Sequence, residues 1–423
     1  MTQQKIDIVL NKYFDAPVRD SVWGHIYLRP AFESITGSIP FMRLHRIFQL
    51  GPTFYVYPGA THTRAAHSIG VYGLARRLLQ NLAERGAGEW LSEVGVTSFL
   101  CAALLHDAGH FPYTHSLKEL ALRTHESLTG DIITAEPLRS LIGAAGADPD
   151  MAAAIVDMDL PDHGNAELRF YRKLLSGTLD PDKLDYLNRD ALYCGVPYGL
   201  QDVDFILSQV HPDQEYGLRL DPPGKSSVEA LLFAKYLMYK NVYWHKSVRC
   251  ATAMIKKALV YGLQSGAIGA DELYGLDDQE LFALLAKHHG PFFELGARVR
   301  NGQFYTTLAE VPFEPDLSDI PERSLCEAML AESFSQKTGK PVHPAEVIID
   351  VPGKVNFETN LQLTAGSLII PGVFEHESVH TFEKSLEVLR VFVEPALAES
   401  LAGIAIQDIL YSSLFLKKPV ASP

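Results

Sequence analysis

The segment that most limits how this chain can fold runs from Thr97 to His110. There a helical apolar run stops at His106-Asp107-Ala108-Gly109-His110. Packing alone does not explain such an ending, because a buried imidazole or carboxylate must find partners or carry a large desolvation cost. A metal ion would satisfy both. Two other segments offer companions. Thr61-His62-Thr63-Arg64-Ala65-Ala66-His67 opens a strong helical pattern, and Asp180-Pro181-Asp182-Lys183-Leu184-Asp185-Tyr186 sets three acids beside a lysine and a tyrosine. Two imidazoles and two carboxylates make a mixed nitrogen and oxygen site, suited to manganese, iron, magnesium or zinc rather than to copper(I) or a thiolate cluster. A single histidine is ordinarily a satisfied core or surface residue; the ordered set is harder to dismiss.

The surrounding pattern is mostly α. Helical spacing covers Ser68–Arg85, Thr97–Ala108, Ser116–Arg123, Ala166–Tyr193 and a longest stretch from Ser227 to Gln264. After about Pro312 the texture turns β-rich, at Glu346–Val351, Ser367–Ile370 and Val388–Val393. The expected fold is a helical body over 1–290 with a smaller α+β region over 291–423. A formal charge of −14 argues against strong nucleic-acid binding, since affinity for a phosphate backbone rests on lysine and arginine. Cys101, Cys194, Cys250 and Cys326 are scattered, with neither a CxxC pair nor a disulfide framework. Without a signal-like start or a membrane-length apolar run, the chain is expected in the cytoplasm, away from membranes.

The order His67, His106-Asp107, Asp182 resembles the H…HD…D signature of the HD-domain metal-dependent phosphohydrolases. The likeness is closest to the deoxynucleoside triphosphate triphosphohydrolases. It spans roughly the first 260 residues and takes in Asp20-Ser21-Val22-Trp23-Gly24-His25-Ile26, Gln49-Leu50-Gly51, Tyr57-Pro58-Gly59-Ala60-Thr61-His62-Thr63-Arg64 and Tyr243-Trp244-His245-Lys246. The resemblance implies a helical HD core and one divalent metal held by His67, His106, Asp107 and Asp182. It implies phosphate clamps at Arg64 and Lys183, and catalytic histidines at His110, His115 and His125, with Glu126 beside the last. It places Tyr186, Asp190 and Tyr243 at the sugar, Gln49 and Leu50 near sugar and base, and Lys235 and Tyr239 on the substrate-facing helix. The implied reaction converts a dNTP to a deoxynucleoside and inorganic triphosphate, in a homodimer or homotetramer whose assembly the C-terminal region assists.

Several positions depart from the family pattern. Vertebrate members carry an arginine and a histidine where this chain has Lys235 and Tyr239, and a base-facing glutamine where it has Trp244. The acid expected three residues after His115 is Lys118, with Glu119 next, so that either the helix registers differently or Glu126 acts alone. Gly37, Met42 and His45 stand where guanine would be read, so GTP activation of that kind is not expected, which leaves room for a different nucleotide effector. Asp185 reads as a helix-capping or salt-bridged acid. Tyr239, Tyr243 and Trp244 serve equally well as plain core, and the basic residues from Lys235 to Lys257 as a solvated helix face. His376-Glu377-Ser378-Val379-His380 fits the zinc-peptidase HExxH pattern, but in a polar segment without a long apolar helix around it. Gly224-Lys225-Ser226 fails as a P-loop because Arg219 takes the place of the required glycine. The remaining alternatives are an HD phosphohydrolase acting on another nucleotide or phosphoester, and a low-turnover nucleotide sensor.

Overall fold

Thr63 caps α1 (Arg64–Glu84) by accepting from the Ala66 backbone N–H, and Ser92 caps α2 (Glu93–Leu105) through Gly95. The two helices pack together, and α2 is buried along almost its whole length. It gives way at His106, and the following turn lies against α3 (His125–Thr134). A Cβ on Gly109 would stand 2.3 Å from the His125 carbonyl oxygen and 2.5 Å from the Thr129 nitrogen, so the close approach requires glycine. The Thr129 hydroxyl fastens the turn, accepting from Gly109 N–H and donating to the His106 carbonyl.

The computed structural model describes residues 2–11, 17–312, 320–351, 353, 355, 357, 362–363, 376–404 and 409. Among them the expected helix from Ala166 to Tyr193 is two, α4 (Ala166–Leu175) and α5 (Pro181–Cys194). Pro181 cannot continue a helix but starts one well, and Asp180 caps α5 through Lys183 N–H. The longest expected helix is also divided, into α6 (Lys225–Met238), a π-helical turn at Tyr239–Tyr243, and α7 (Lys246–Gln264), whose N-cap is the His245 ring. The pattern at Ser116–Arg123 is only a 3-10 turn at Thr114–Leu117 followed by tight turns. Its apolar residues Leu117, Leu120 and Leu122 are satisfied by packing against the α7 cluster, not by helix formation.

The chain completes its helical portion with α8 (Pro291–Arg300), which packs on α7, and α9 (Ile320–Thr338). The strands are short. β1 (Pro17–Asp20) and β2 (Gly24–Tyr27) form an N-terminal hairpin; β3 (Val210–Asp213) and β4 (Gly217–Leu220) form another. β5 (Thr306–Pro312), β6 (Val347–Asp350) and β8 (Val388–Val393) make an antiparallel sheet in the order β5-β8-β6, and β7 (Gln362–Leu363) lies parallel to β4. The large core joins the hairpins to α1, α2, α4, α5 and α6, while Ile348 and Phe392 of the C-terminal sheet enter a second core built on α7 and α8. The fold is therefore mostly α with a smaller C-terminal α+β region, as the sequence implies.

Three expectations need correction or delimiting. The basic residues from Lys235 to Lys257 are only partly a solvated face: Lys240 and Lys246 are exposed and Arg249 is half-buried, but Lys235, Lys256 and Lys257 are buried. On α7, Lys257 donates to Glu327 of α9 and to the Val347 carbonyl of the sheet, and Lys256 donates to Glu119. The HExxH segment is helical (His376–Leu386), contrary to the reading from its polar surroundings, with His380 exposed. The expected strand at Ser367–Ile370 lies outside the described residues. The four cysteines are free, with Cys101, Cys250 and Cys326 buried, and no helix among the described residues is long and apolar enough to cross a membrane.

Candidate metal centre and its cavity

His67 projects from the first turns of α1, His106 and Asp107 from the end of α2, and Asp182 from the first turn of α5. The fold brings them together. His67 Nε2 lies 3.0 Å from Asp182 Oδ1 and 4.0 Å from Asp107 Oδ2, and His106 Nε2 lies 3.4 Å from Asp107 Oδ1 and 3.7 Å from Asp182 Oδ1. Donor atoms of His67, His106 and Asp107 all fall within 4.8 Å of one another. The buried Nε2 of His106 has no hydrogen-bond partner, although its Nδ1–H donates to the Ala103 carbonyl at 2.9 Å. A nitrogen oriented from behind and unsatisfied in front fits a divalent cation.

The other imidazole is oriented the same way. His67 Nδ1–H donates to Asp185 Oδ2 at 2.8 Å, and Asp185 in turn accepts from Arg189 Nε and Nη2 and from the Trp23 indole. Arg189 reaches on to Asp20, whose other oxygen caps the Val22 and Trp23 N–H groups. The Asp20–Trp23 motif thus stands behind the metal ligands. Burial disfavours a charged His67, but its hydrogen bonds to Asp182 and Asp185 outweigh that and push its pKa up to about 10. Burial would raise the Asp107 carboxyl, yet His106 and Arg64 hold it well below the ordinary range. Arg64 donates to Asp107 Oδ2 at 2.7 Å.

Beside the ligands stands a histidine cluster. His110 Nε2 is 3.1 Å from His115 Nε2, and the rings of His110 and His125 are 3.8 Å apart. Burial and nearby Arg64 put His110 well below its usual pKa; burial, His125 and Arg64 lower His115 to about 3. Glu126 lies 3.0 Å from His125 Nδ1, and that contact overcomes burial to bring its pKa to about 2. Glu119 also borders the cavity, but is gripped by Lys256 and Arg323. Glu126 is thus the acid beside His125, while Asp107 Oδ1 lies 3.2 Å from His110 Nδ1.

These groups line a cavity of about 530 Å³. Arg64, His67, His106, Asp107, His115, His125 and Asp182 form one end, and Gln49, Leu50, Tyr186, Asp190, Tyr239, Tyr243 and Trp244 lie along the rest. Asp190 Oδ2 accepts from the Tyr243 hydroxyl at 2.6 Å. Tyr239 meets Tyr243 and Trp244 edge to face, so these rings wall the cavity as well as pack. His110 and Glu126 sit behind the lining. Lys183 also stands off it, its ammonium donating to Asp180 and the Gly177 carbonyl, and Lys235 places its ammonium over the Phe357 ring.

The HD domain family matches residues 64–168, the span holding His67, His106 and Asp107, and the HD associated region matches residues 202–367. The chain belongs to the HD-domain phosphohydrolase superfamily. The chain is 34% identical over 247 residues to an uncharacterised Bacillus subtilis protein, YwfO, covering 57% of this chain and 54% of that one. It is 26% identical over 274 residues to human deoxynucleoside triphosphate triphosphohydrolase SAMHD1, covering 57% and 44%. The chain spans about half the length of the curated relatives it matches. A hypothetical protein from Aquifex aeolicus shares the fold over 91% of this chain and 98% of its own, with TM-score 0.70 and 26% identity. A Bacteroides thetaiotaomicron phosphohydrolase does so over 90% and 100%, with TM-score 0.71 and 22% identity.

The residues that support the candidate metal ligands carry less signal in the sequence. Arg43 is buried and donates to the carbonyls of Ala108, His110 and Leu276, clamping the polar turn. Asp185 is salt-bridged, as read, and also orients His67. Gly70 carries the clearest unread signal: a Cβ there would lie 2.0 Å from Asp185 Oδ1 and 2.3 Å from Arg189 Nη2.

Proposed function

We propose that the protein hydrolyses deoxynucleoside triphosphates to deoxynucleosides and inorganic triphosphate, using one divalent metal held by His67, His106, Asp107 and Asp182. The observation that carries this reading is one cavity with two kinds of lining: the candidate metal ligands with Arg64 and the histidines, and, eight residues along α5 from Asp182, the Asp190 carboxylate among aromatic rings. A site for a phosphoester alone would have little use for the second kind. When bound, the cation (manganese, iron, magnesium or zinc) would polarise a phosphoryl oxygen and acidify a bound water.

The protein's own groups then divide the work. Arg64 neutralises phosphate oxygens while keeping Asp107 in place. Lys183 joins it by exchanging Asp180 for substrate; Lys235, over Phe357, takes no part in this reading. Burial keeps His110 and His115 neutral, and an entering polyanion raises the basicity of nearby imidazoles. The proton for the departing 5′-oxygen thus comes from the cluster of His110, His115 and His125, with Glu126 supporting His125. Tyr186, Asp190 and Tyr243 hold the sugar, and Gln49, Leu50, Tyr239 and Trp244 border the base. A homodimer or homotetramer and a nucleotide effector complete the proposal, as the family resemblance implies.

The test is incubation of manganese-loaded or magnesium-loaded protein with each dNTP and with mixtures, resolving products by ion exchange. Inorganic triphosphate and free deoxynucleoside are expected, and the His106→Ala/Asp107→Ala variant should release neither and retain no metal. Pyrophosphate or monophosphate as product would move the protein to another phosphohydrolase class, and no turnover in any mixture would favour a nucleotide sensor.

A further inference from the structure

We propose that His62 is a positioning residue for the sugar end of the cavity, fixing the Asp190 carboxylate so that it meets the deoxyribose 3′-hydroxyl; this rests on the dNTP reading above. His62 is buried and lies off the cavity lining, and its Nε2–H donates to Asp190 Oδ1 at 2.8 Å. Tyr243 donates to the other oxygen of the same carboxylate. An ionised carboxylate has about four acceptor positions. Two donors, one per oxygen, lock its rotation and leave acceptor capacity for a hydroxyl arriving from the cavity, which Asp190 lines.

The histidine is not explained by packing. Its ring lies against Tyr193, centroids 4.6 Å apart at 35°, and a phenyl ring would fill that place. The imidazole instead leaves Nδ1 buried without a hydrogen-bond partner, a desolvation cost that phenylalanine would not carry. What the imidazole supplies in return is the bond to Asp190. The backbone is arranged to deliver it: a Cβ on Gly59 would stand 2.4 Å from the Tyr193 carbonyl oxygen, so only glycine lets this loop lie so close to the end of α5. The same short segment continues into the Thr63 cap, Arg64 and His67. Sugar anchor and metal ligand are thereby set by one piece of chain, five residues apart, which ties the position of the 3′-hydroxyl to that of the metal.

The experiment is isothermal titration of the metal-loaded full chain with a dNTP analogue made non-hydrolysable by a methylene in place of the 5′-bridging oxygen, and with its 2′,3′-dideoxy counterpart, for wild type, His62→Phe and His62→Gln. Wild type should prefer the 3′-hydroxyl analogue by about tenfold, the scale of one hydrogen bond to a charged group. His62→Phe should lose that preference while its affinity for the dideoxy analogue stays unchanged, and His62→Gln, whose side-chain amide can donate in place of Nε2–H, should recover part of it. Wild type that binds neither analogue, or both equally, sinks the sugar-contact reading and this inference with it. Wild-type preference that persists in His62→Phe sinks this inference alone, as does a variant that weakens both analogues to the same degree.

Discussion

The two ends of the cavity are built on opposite plans. At the metal end three of the four candidate ligands have a dedicated polar partner: Asp185 for His67, the Ala103 carbonyl for His106, Arg64 for Asp107. Asp185 is itself gripped by Arg189 and Trp23. The rest is walled by Tyr186, Tyr239, Tyr243 and Trp244 around the carboxylate of Asp190, with Gln49, Leu50, Gly353 and Val355 contributing from loops and the π-helical turn supplying two of the rings. Charge must be held at fixed positions to bind a cation and steer a phosphoryl group, whereas a sugar and base are accommodated largely by shape. The first task demands a wired scaffold; the second tolerates side chains recruited from many places.

Gly70→Ala should break that contrast most severely. A methyl group 2.0 Å from Asp185 Oδ1 forces apart the Asp185–Arg189 pair, and overpacking of this kind costs roughly 1–3 kcal/mol. Calorimetry should find a lowered Tm and metal analysis a depleted site; a variant with normal stability and full metal content would mean the wiring is dispensable. Asp185→Asn is a finer cut at the same place. It keeps the shape but weakens the acceptor for His67 Nδ1–H, and metal affinity should fall about 10- to 100-fold in competition with a chelator. Unchanged affinity would show that His67 is oriented by packing alone.

The loop end gives a smaller effect with a defined pH window. Asp278 lines the cavity and accepts from Phe48 N–H, next to Gln49, and burial pushes its pKa up to about 6 from 3.8. Between these values the folded chain keeps a proton that the unfolded chain has lost, so stability falls as pH rises from about 4 to about 6 and stays lowered above. Asp278→Asn retains an acceptor for Phe48 and removes this loss, a gain on the order of 1 kcal/mol at pH 7 that vanishes near pH 4. Melting curves across that range check it. An equal shift at every pH would assign the effect to something other than the carboxyl's ionisation.

How much of this could be read from the chain differs between the ends in the same way. His106, Asp107 and His110 are adjacent in sequence and end an apolar helix, so their polarity stands out against what surrounds them. His67 and Asp182 follow from the motif order. Tyr239, Tyr243 and Trp244 gave no such contrast, because an aromatic stripe on a helix is equally good core, and only the π-helical turn and the break at His245 aim them at the cavity. The same break, with the division at Gly177 to Pro181, shows why periodicity overran two helix ends: the stops depend on single residues whose capping bonds a hydrophobic pattern does not register.

The sequence by itself determined a helical body, the identity and order of the residues able to hold a metal, and the acidic surplus that disfavours nucleic acid. These depend on residue chemistry and on spacing within a helix or two, which are local. Tertiary structure alone decided that Asp20 and Trp23 stand behind His67 through Arg189 and Asp185, that Arg43 clamps the turn after His106, that His62 faces Asp190, and that Lys256 and Lys257 are buried against Glu119 and Glu327. In most of these the partner lies from 65 to 169 residues away. A charged side chain carries no mark of whether it will meet water or a counter-charge; burial settles that, and burial is a property of the whole fold.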